Sequence, residues 1–164
     1  MKKYVLKNEF LEAHFLDVGA CITQLVDLKS GINVIVGHED LNVYREGNPG
    51  YMNAVIGRNS GRIMDFRLDG ERVEVTKNVN GLYQLHGGFK GFNTKEFAVE
   101  TGEDWIRFSA TAEDGEEGYP GNVRFSITYS LHGGELHLDY EAVADKKTIL
   151  NFTNHAYFNL NGDP

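Results

Sequence analysis

The amino-acid sequence predicts an all-β fold, an antiparallel β-sandwich, and three observations support this. Short apolar stretches separated by glycine-bearing turns run through the 164 residues, and none has the period of a long amphipathic helix. The clearest stretch, 123–131, alternates apolar and polar residues, and 136–142 repeats the alternation. Strands with one apolar and one polar face are typical of sheets that cover a core on one side.

The beginning of the chain predicts an antiparallel meander. Four strand candidates follow one another, at 4–6, 10–16, 21–28 and 32–36. Gly19 and the Ser30-Gly31 pair separate them, as expected of turns. Segment 38–50 contains Pro49, several glycines and charged residues, and is predicted to be a long surface loop.

The middle of the chain predicts two hairpins. Asp69-Gly70 stands between apolar runs and is a strong signal for a two-residue hairpin turn. Segment 97–110 is a second hairpin that turns at 101–104, with Trp105 expected in the core. Another turn, at 78–81, comes just before a histidine.

Composition limits the classes of function. Hydrophobic residues at 41% and charged residues at 24% are ordinary for a soluble globular chain. The net charge of -8 argues against nucleic acid and anionic membranes as partners. No run is long enough for a signal peptide or a membrane span, so a cytoplasmic location is expected. The single cysteine, Cys21, is predicted to be a small buried hydrophobe. No metal or other cofactor is predicted, because no histidine pair has zinc-motif spacing.

Segment 151–160, Asn-Phe-Thr-Asn-His-Ala-Tyr-Phe-Asn-Leu, is the main candidate for function. Its aromatic residues favour a position on or beside a strand. Its amides, imidazole and hydroxyl are suited to a hydroxyl-rich ligand. On pattern alone, a strand with outward polar residues and His155 as a hydrogen-bonded core histidine is the simpler interpretation.

Two identical His-Gly-Gly triplets occur in different contexts. His132-Gly-Gly joins the two alternating stretches, so a hairpin turn explains it. His86-Gly-Gly has no such setting, and its glycines would let the backbone approach a ligand closely. Only the second triplet is therefore a candidate site.

Four motifs in order resemble the galactose mutarotase, or aldose 1-epimerase, family. They are Gly57-Arg-Asn-Ser-Gly-Arg-Ile63, Leu85-His-Gly-Gly88, Asp114-Gly-Glu-Glu-Gly-Tyr-Pro-Gly121 and Asn154-His-Ala-Tyr-Phe-Asn-Leu160. The resemblance covers essentially all of this chain, but only the first half of the family's domain. It implies that residues 1–164 are the N-terminal portion of a single mutarotase-like β-sandwich, a supersandwich that is truncated here, with the C-terminal portion absent.

The resemblance also implies an activity. The family's isomerases interconvert the α and β anomers of free aldohexoses, here galactose or glucose, by acid/base ring opening without a cofactor. His155 is implied to be the acid, and an imidazole can carry out that role near neutral pH. His86 is implied to bind near the ring oxygen and polarise it, and Arg62 to hydrogen-bond sugar hydroxyls with its donor fork. Tyr157 is expected to line the same site.

Two departures from the family qualify this expectation. The asparagine that usually precedes the motif arginine is Gly61, so one sugar hydrogen bond is lost or is supplied by Asn59 or Ser60. The family's general base, a glutamate, and a sugar-binding aspartate match positions beyond Pro164. Three acidic residues of this chain match no catalytic position and are expected to be solvated, namely Glu116, Glu117 and Glu141.

Three hypotheses follow. The first is a half-domain that lacks its base, exposes an unpaired strand edge and apolar surface, and self-associates. The second is a non-catalytic sugar-binding or sensing module that keeps Arg62, His86 and His155 as contacts. The third is an epimerase for another substrate, such as a hexose 6-phosphate, although no basic cluster near the motifs would hold the phosphate.

Overall fold

Antiparallel strands are the main secondary structure of the chain, as seen in a computed structural model that describes residues 1–162. In chain order the strands are β1 (Lys3–Lys7), β2 (Leu11–Leu16), β3 (Ile22–Asp27), β4 (Ile32–Asn33), β5 (Val55–Ile56), β6 (Arg62–Ile63), β7 (Phe66–Leu68), β8 (Glu71–Val73), β9 (Gln84–Leu85), β10 (Ala98–Thr101), β11 (Trp105–Ala112), β12 (Val123–His132), β13 (Glu135–Ala144) and β14 (Thr153–Asn154). One helical turn, α1 (Asn42–Arg45), and three 3₁₀ turns accompany them, at Pro49–Tyr51, Phe92–Thr94 and Glu116–Gly118.

Two four-stranded sheets are built from neighbours in sequence, in the orders β1-β2-β3-β4 and β10-β11-β12-β13. The first sheet is the predicted meander. Its last strand is shorter than predicted, because residues 34–36 turn towards the end of the chain, where the Val36 N–H donates to the Tyr157 carbonyl at 2.9 Å. Three two-stranded pairs complete the set: β5 with β14, β6 with β9, and β7 with β8.

The two large sheets pack face to face, which confirms the predicted sandwich. Alternate residues of β12 are buried in the core, namely Val123, Phe125, Ile127, Tyr129 and Leu131. On the opposite side, Phe15 of β2 lies with its ring centroid 5.8 Å from that of Phe108 and 4.7 Å from that of Tyr129. Burial of side chains of this kind contributes roughly 1.5–3 kcal/mol each, so this contact is a main source of stability.

The predicted hairpins are confirmed, with one correction. Asp69 and Gly70 join β7 to β8 with φ angles of 53° and 91°, the left-handed pair that a two-residue hairpin turn requires. His132-Gly-Gly joins β12 to β13, as predicted. The prediction that Trp105 lies in the core is wrong. It is half-buried, and it lies on the face of β11 opposite Phe108, since successive side chains of a strand point to opposite faces.

The segment predicted as a surface loop, 38–50, is held to the core at one point. It contains α1, whose Tyr44 is only 2% exposed. The Tyr44 hydroxyl accepts hydrogen bonds from the side-chain amide of Asn53 and from the backbone N–H of His38, each at 3.2 Å. The segment is therefore an anchored connection rather than a free loop.

Part of the apolar surface remains open. Among residues 1–162, β13 is an edge strand that pairs only with β12. Tyr140 on that strand is 44% exposed and Phe158 near the chain's end is 60% exposed.

No helix among residues 1–162 is long and apolar enough to cross a membrane. The domain assigned to 1–164 ends with two residues, Asp163 and Pro164, that lie outside the described residues.

Candidate functional site

The two predicted site histidines lie side by side. The ring centroids of His86 and His155 are 5.2 Å apart, and their planes are nearly perpendicular, at 89°. The ring of Tyr157 lies 5.2 Å from that of His155. On the other side, the ring of Tyr51 lies 4.7 Å from His86 and 6.4 Å from His155. Residues from three distant stretches of the chain thus meet in one aromatic cluster.

Short strands hold His155 in place. It directly follows β14, which pairs with β5. Its N–H donates to the Ala54 carbonyl at 2.8 Å, and its carbonyl accepts from the Asn53 N–H at 3.0 Å. The side-chain amide of Asn154 donates to the buried Tyr129 hydroxyl at 2.9 Å. His155 is half-buried, so the fold holds its backbone while part of the residue stays accessible to solvent.

His86 is held by the residue that departs from the family pattern. Its backbone N–H donates to the Gly61 carbonyl at 3.0 Å, and the Gly61 N–H donates to its Nδ1 at 3.1 Å. A backbone amide can only donate, so Nδ1 carries no proton, and the proton of the neutral ring is on Nε2. Burial lowers the pKa of His86 below its usual value, and the nearby His155 and Arg62 add to this effect. The ring therefore presents an N–H donor at Nε2 near neutral pH.

Arg62 lies at the rim of the cluster. In the β6–β9 pair it stands opposite Leu85, the residue before His86. Its side chain is exposed and lies over the Tyr83 ring, with its guanidinium carbon 5.7 Å from the ring centroid. Its Nε donates to the Tyr83 hydroxyl at 3.4 Å. The guanidinium is thus accessible from solvent, and its charge helps to lower the pKa of His86.

Close backbone contacts bring three of the motifs together. Gly87 has φ of 86°, and a methyl group added there would overlap with the Gly57 carbonyl. A methyl group on Gly57 would in turn overlap with the Phe152 ring. The first motif therefore lies between the histidine turn and the segment that carries His155, and glycine is required at both contacts.

Tyr157 is tied to the chain near Tyr51. Its hydroxyl donates to the Gly50 carbonyl at 3.0 Å, and its N–H donates to the side-chain oxygen of Asn53 at 3.0 Å. Its side chain is 39% exposed. It therefore supports the turn that carries Tyr51 and still presents a ring face and hydroxyl oxygen beside His155.

The two residues suggested as replacements for the missing asparagine differ in position. Asn59 is 8% exposed, and its side-chain oxygen accepts from the Asn151 amide at 3.1 Å. Ser60 is half-buried, with its backbone N–H bonded to the Asn151 carbonyl at 2.8 Å. Asn59 is thus engaged inside the fold, and Ser60 is the better placed of the two.

The expectation that three acidic residues are solvated is wrong for two of them. Glu116 and Glu117 are half-buried, because the loop folds back over the histidine turn around the fully buried Tyr119. Glu116 pairs with Lys95 at 2.8 Å. The Glu117 carboxylate accepts from backbone amides of the histidine turn. Glu141, the third residue, is solvated as expected.

For several residues that build the site, the sequence predicts no role. Tyr51 and Asn53 take positive φ angles, 55° and 62°. Asn53 is fully buried, and it binds the Val36 carbonyl at 2.8 Å as well as Tyr157. Arg58 is 3% exposed, and its guanidinium donates to three backbone carbonyls, those of Ala112, Glu113 and Pro120. In residues 1–162, no group of three or more His, Cys, Asp or Glu side chains could hold a metal ion.

Comparisons with known proteins agree with the motifs. The sequence profile of the aldose 1-epimerase family matches residues 2–163. The chain is 39% identical to the galactose mutarotase of Sus scrofa over 167 residues, covering 99% of this chain and 48% of that protein. It is 43% identical to the aldose 1-epimerase of Haemophilus influenzae over 114 residues, covering 67% of this chain and 33% of that protein. The chain spans about half the length of the curated relatives it matches.

Solved structures have the same fold. An aldose epimerase homologue from C. elegans matches with a TM-score of 0.90 at 25% identity, over 99% of this chain and 52% of that one. A galactose 1-epimerase from Lactobacillus acidophilus matches with a TM-score of 0.82 at 28% identity, over 95% of this chain and 48% of that one.

Proposed function

Because the chain belongs to the aldose 1-epimerase family, we propose that it forms the acid side of a site that interconverts the anomers of free aldohexoses, galactose or glucose. The perpendicular pair of His86 and His155, 5.2 Å apart, is the observation that supports this most strongly. One ring presents an N–H donor and the other lies beside it in a partly exposed residue, an arrangement suited to hydrogen bonds from both rings to one sugar oxygen.

The proposed reaction needs two proton transfers. A base removes the proton from the C1 hydroxyl while His155 donates a proton to the ring oxygen, and the bond between C1 and the ring oxygen breaks. The resulting aldehyde rotates, and the ring closes on its opposite face with both transfers reversed. His86 donates a hydrogen bond from Nε2 near the ring oxygen. Arg62 and Tyr157 contact the remaining hydroxyls. A positioned acid contributes about 100- to 10,000-fold.

We place the base of this reaction outside residues 1–162. The acidic residues that were considered have other partners: Glu116 binds Lys95, Glu117 binds backbone amides, and Glu141 binds Arg107. A site without its base loses a factor on the order of 100 or more in rate. The chain alone is therefore expected to bind the sugar and to turn it over slowly.

Polarimetry with an added base tests the proposal. Freshly dissolved α-D-galactose is followed in increasing acetate, with and without protein, since acetate can replace a missing carboxylate. We expect a rate above the same acetate solution without protein, lost in His155→Ala and retained in His132→Ala. His132 is the matched control, because it is an exposed histidine of a hairpin turn.

All three acidic residues are bound to other groups, and this favours a second candidate function, a sugar-binding module without catalysis. That function predicts saturable galactose binding, with no excess rate at any acetate concentration. Absence of both binding and excess rate would contradict the two functions together.

A further inference from the structure

We propose that Glu117 is a positioning residue that holds the histidine turn, residues 85–90, in the conformation in which His86 faces the site. The role of this turn as a sugar contact rests on the proposed function, whereas the positioning itself does not. Glu117 lies 31 residues after His86 in the sequence, in a different motif.

The Glu117 carboxylate accepts three hydrogen bonds from the surrounding chain. The Lys90 N–H donates to Oε1 at 2.7 Å, and the Phe89 N–H donates to Oε2 at 3.1 Å. The Thr76 hydroxyl also donates to Oε2. Hydrogen bonds to an ionised acceptor are shorter and stronger than neutral ones. Two of the three donors belong to the histidine turn itself.

The carboxylate also fits against the turn sterically. Gly88 has φ of 93°, and a methyl group added to it would overlap with the Glu117 carboxylate. The Asn78 side chain also donates to the carbonyls of Leu85 and Gly88, at 3.0 and 3.2 Å. The turn is therefore held both by an amide and by a carboxylate.

Glu117 is itself fixed by the fold. Its backbone carbonyl accepts from the Gln84 side chain and from the Thr76 N–H, each at 3.1 Å. Gln84 is fully buried, and its side-chain oxygen accepts a hydrogen bond from the Tyr119 hydroxyl. The acidic motif thus contacts both β9, which precedes His86, and the part of the turn that follows His86.

His86 needs this support because its backbone is in an uncommon conformation. Its φ is 54°, a left-handed value that costs a non-glycine residue energy and persists only when the surroundings hold it. Without the carboxylate, the amides of Phe89 and Lys90 lose their acceptor. We expect the turn to relax and the hydrogen bond from Gly61 to Nδ1 of His86 to be lost with it.

Histidine NMR and amide exchange test this directly on the full chain. The variants are Glu117→Ala and Glu117→Gln, with Glu116→Ala as the matched control from the same motif. In Glu117→Ala we expect the single Nε2–H form of His86 to become a mixture of tautomers. The amides of Phe89 and Lys90 should exchange at least about 10-fold faster, since each loses a charge-assisted bond. Glutamine keeps one acceptor oxygen and should show a smaller effect.

The proposal is overturned if Glu117→Ala matches Glu116→Ala in both the tautomer of His86 and the exchange of the two amides. If Glu117→Ala does not fold, as judged by thermal melting, the same comparison is made between Glu117→Gln and Glu116→Ala.

Galactose titration separates this proposal from the proposed function. Wild-type protein that binds no galactose would contradict the function, while the tautomer and exchange data would still decide the role of Glu117. We expect galactose affinity to fall at least about 10-fold in Glu117→Ala and to be unchanged in Glu116→Ala.

Discussion

Two alanine substitutions, Gly87→Ala and Gly133→Ala, measure how much stability depends on the contact between the histidine turn and the first motif. Each glycine follows a histidine in a His-Gly-Gly triplet, and each has a positive φ, 86° and 58°. A methyl group at Gly133 meets nothing within 4 Å, whereas one at Gly87 overlaps with the Gly57 carbonyl. Both substitutions therefore place an alanine in a left-handed backbone conformation, and only Gly87→Ala adds a steric overlap.

The magnitudes follow from these two terms. A left-handed conformation costs a non-glycine residue about 1–2 kcal/mol, and this applies to both variants. Overpacking adds about 1–3 kcal/mol at Gly87 only. For a chain of this size, each kcal/mol lowers the melting temperature by roughly 2–4 °C. We expect a loss of about 2–8 °C for Gly133→Ala and about 2–12 °C more for Gly87→Ala.

Thermal melting by circular dichroism measures both values under the same conditions. Equal melting temperatures for the two variants would refute the close approach of Gly87 to Gly57, and with it the convergence of the motifs. The ring signals of His86 should also move in Gly87→Ala and stay in place in Gly133→Ala.

Three further predictions concern charge, buried polarity and assembly. The folded-state pKa of His86 is lowered, so between that value and about 6.5 the unfolded chain binds more protons than the native one. Stability should therefore fall as the pH falls through this window, and melting of His86→Gln should depend less on pH; an equal dependence would contradict the assignment. Arg58→Met removes the donor from three backbone carbonyls, at about 1–3 kcal/mol for each one left unpaired. Its melting temperature should drop by about 6 °C or more, and a smaller drop would show that water replaces the guanidinium. The open edge of β13 should pair with a second copy, so sedimentation velocity should show concentration-dependent association that Tyr140→Lys weakens; a monomer at all concentrations would contradict it.

The sequence predicted the sheets well because their signal is local. Alternation along β12 and β13 follows from the two-residue period of a strand, and Asp69-Gly70 defines its own turn. Trp105 was misplaced because its position opposite an apolar hairpin face suggested the core. The register of β11 is instead set by Ile106 and Phe108, which are buried on the other face.

The site was predicted only in part. The motifs identified His86, Arg62, His155 and Tyr157, and the structure brings the two histidines and Tyr157 together. The supporting residues could not be found in this way, because their roles depend on contacts between distant segments. Glu117 looked like a solvated acid, and nothing local to it indicates that two amides of the histidine turn bind its carboxylate.

Histidine-resolved NMR during a galactose titration tests the central claim, that His86 and His155 form one sugar site. The chain has six histidines, of which His14, His132 and His137 serve as internal controls within the same sample. The account predicts saturable shifts of the His86 and His155 ring signals with a common dissociation constant, and none for His14, His132 or His137. Shifts spread evenly over all of them, or absent from His86 and His155 at saturating sugar, would contradict it.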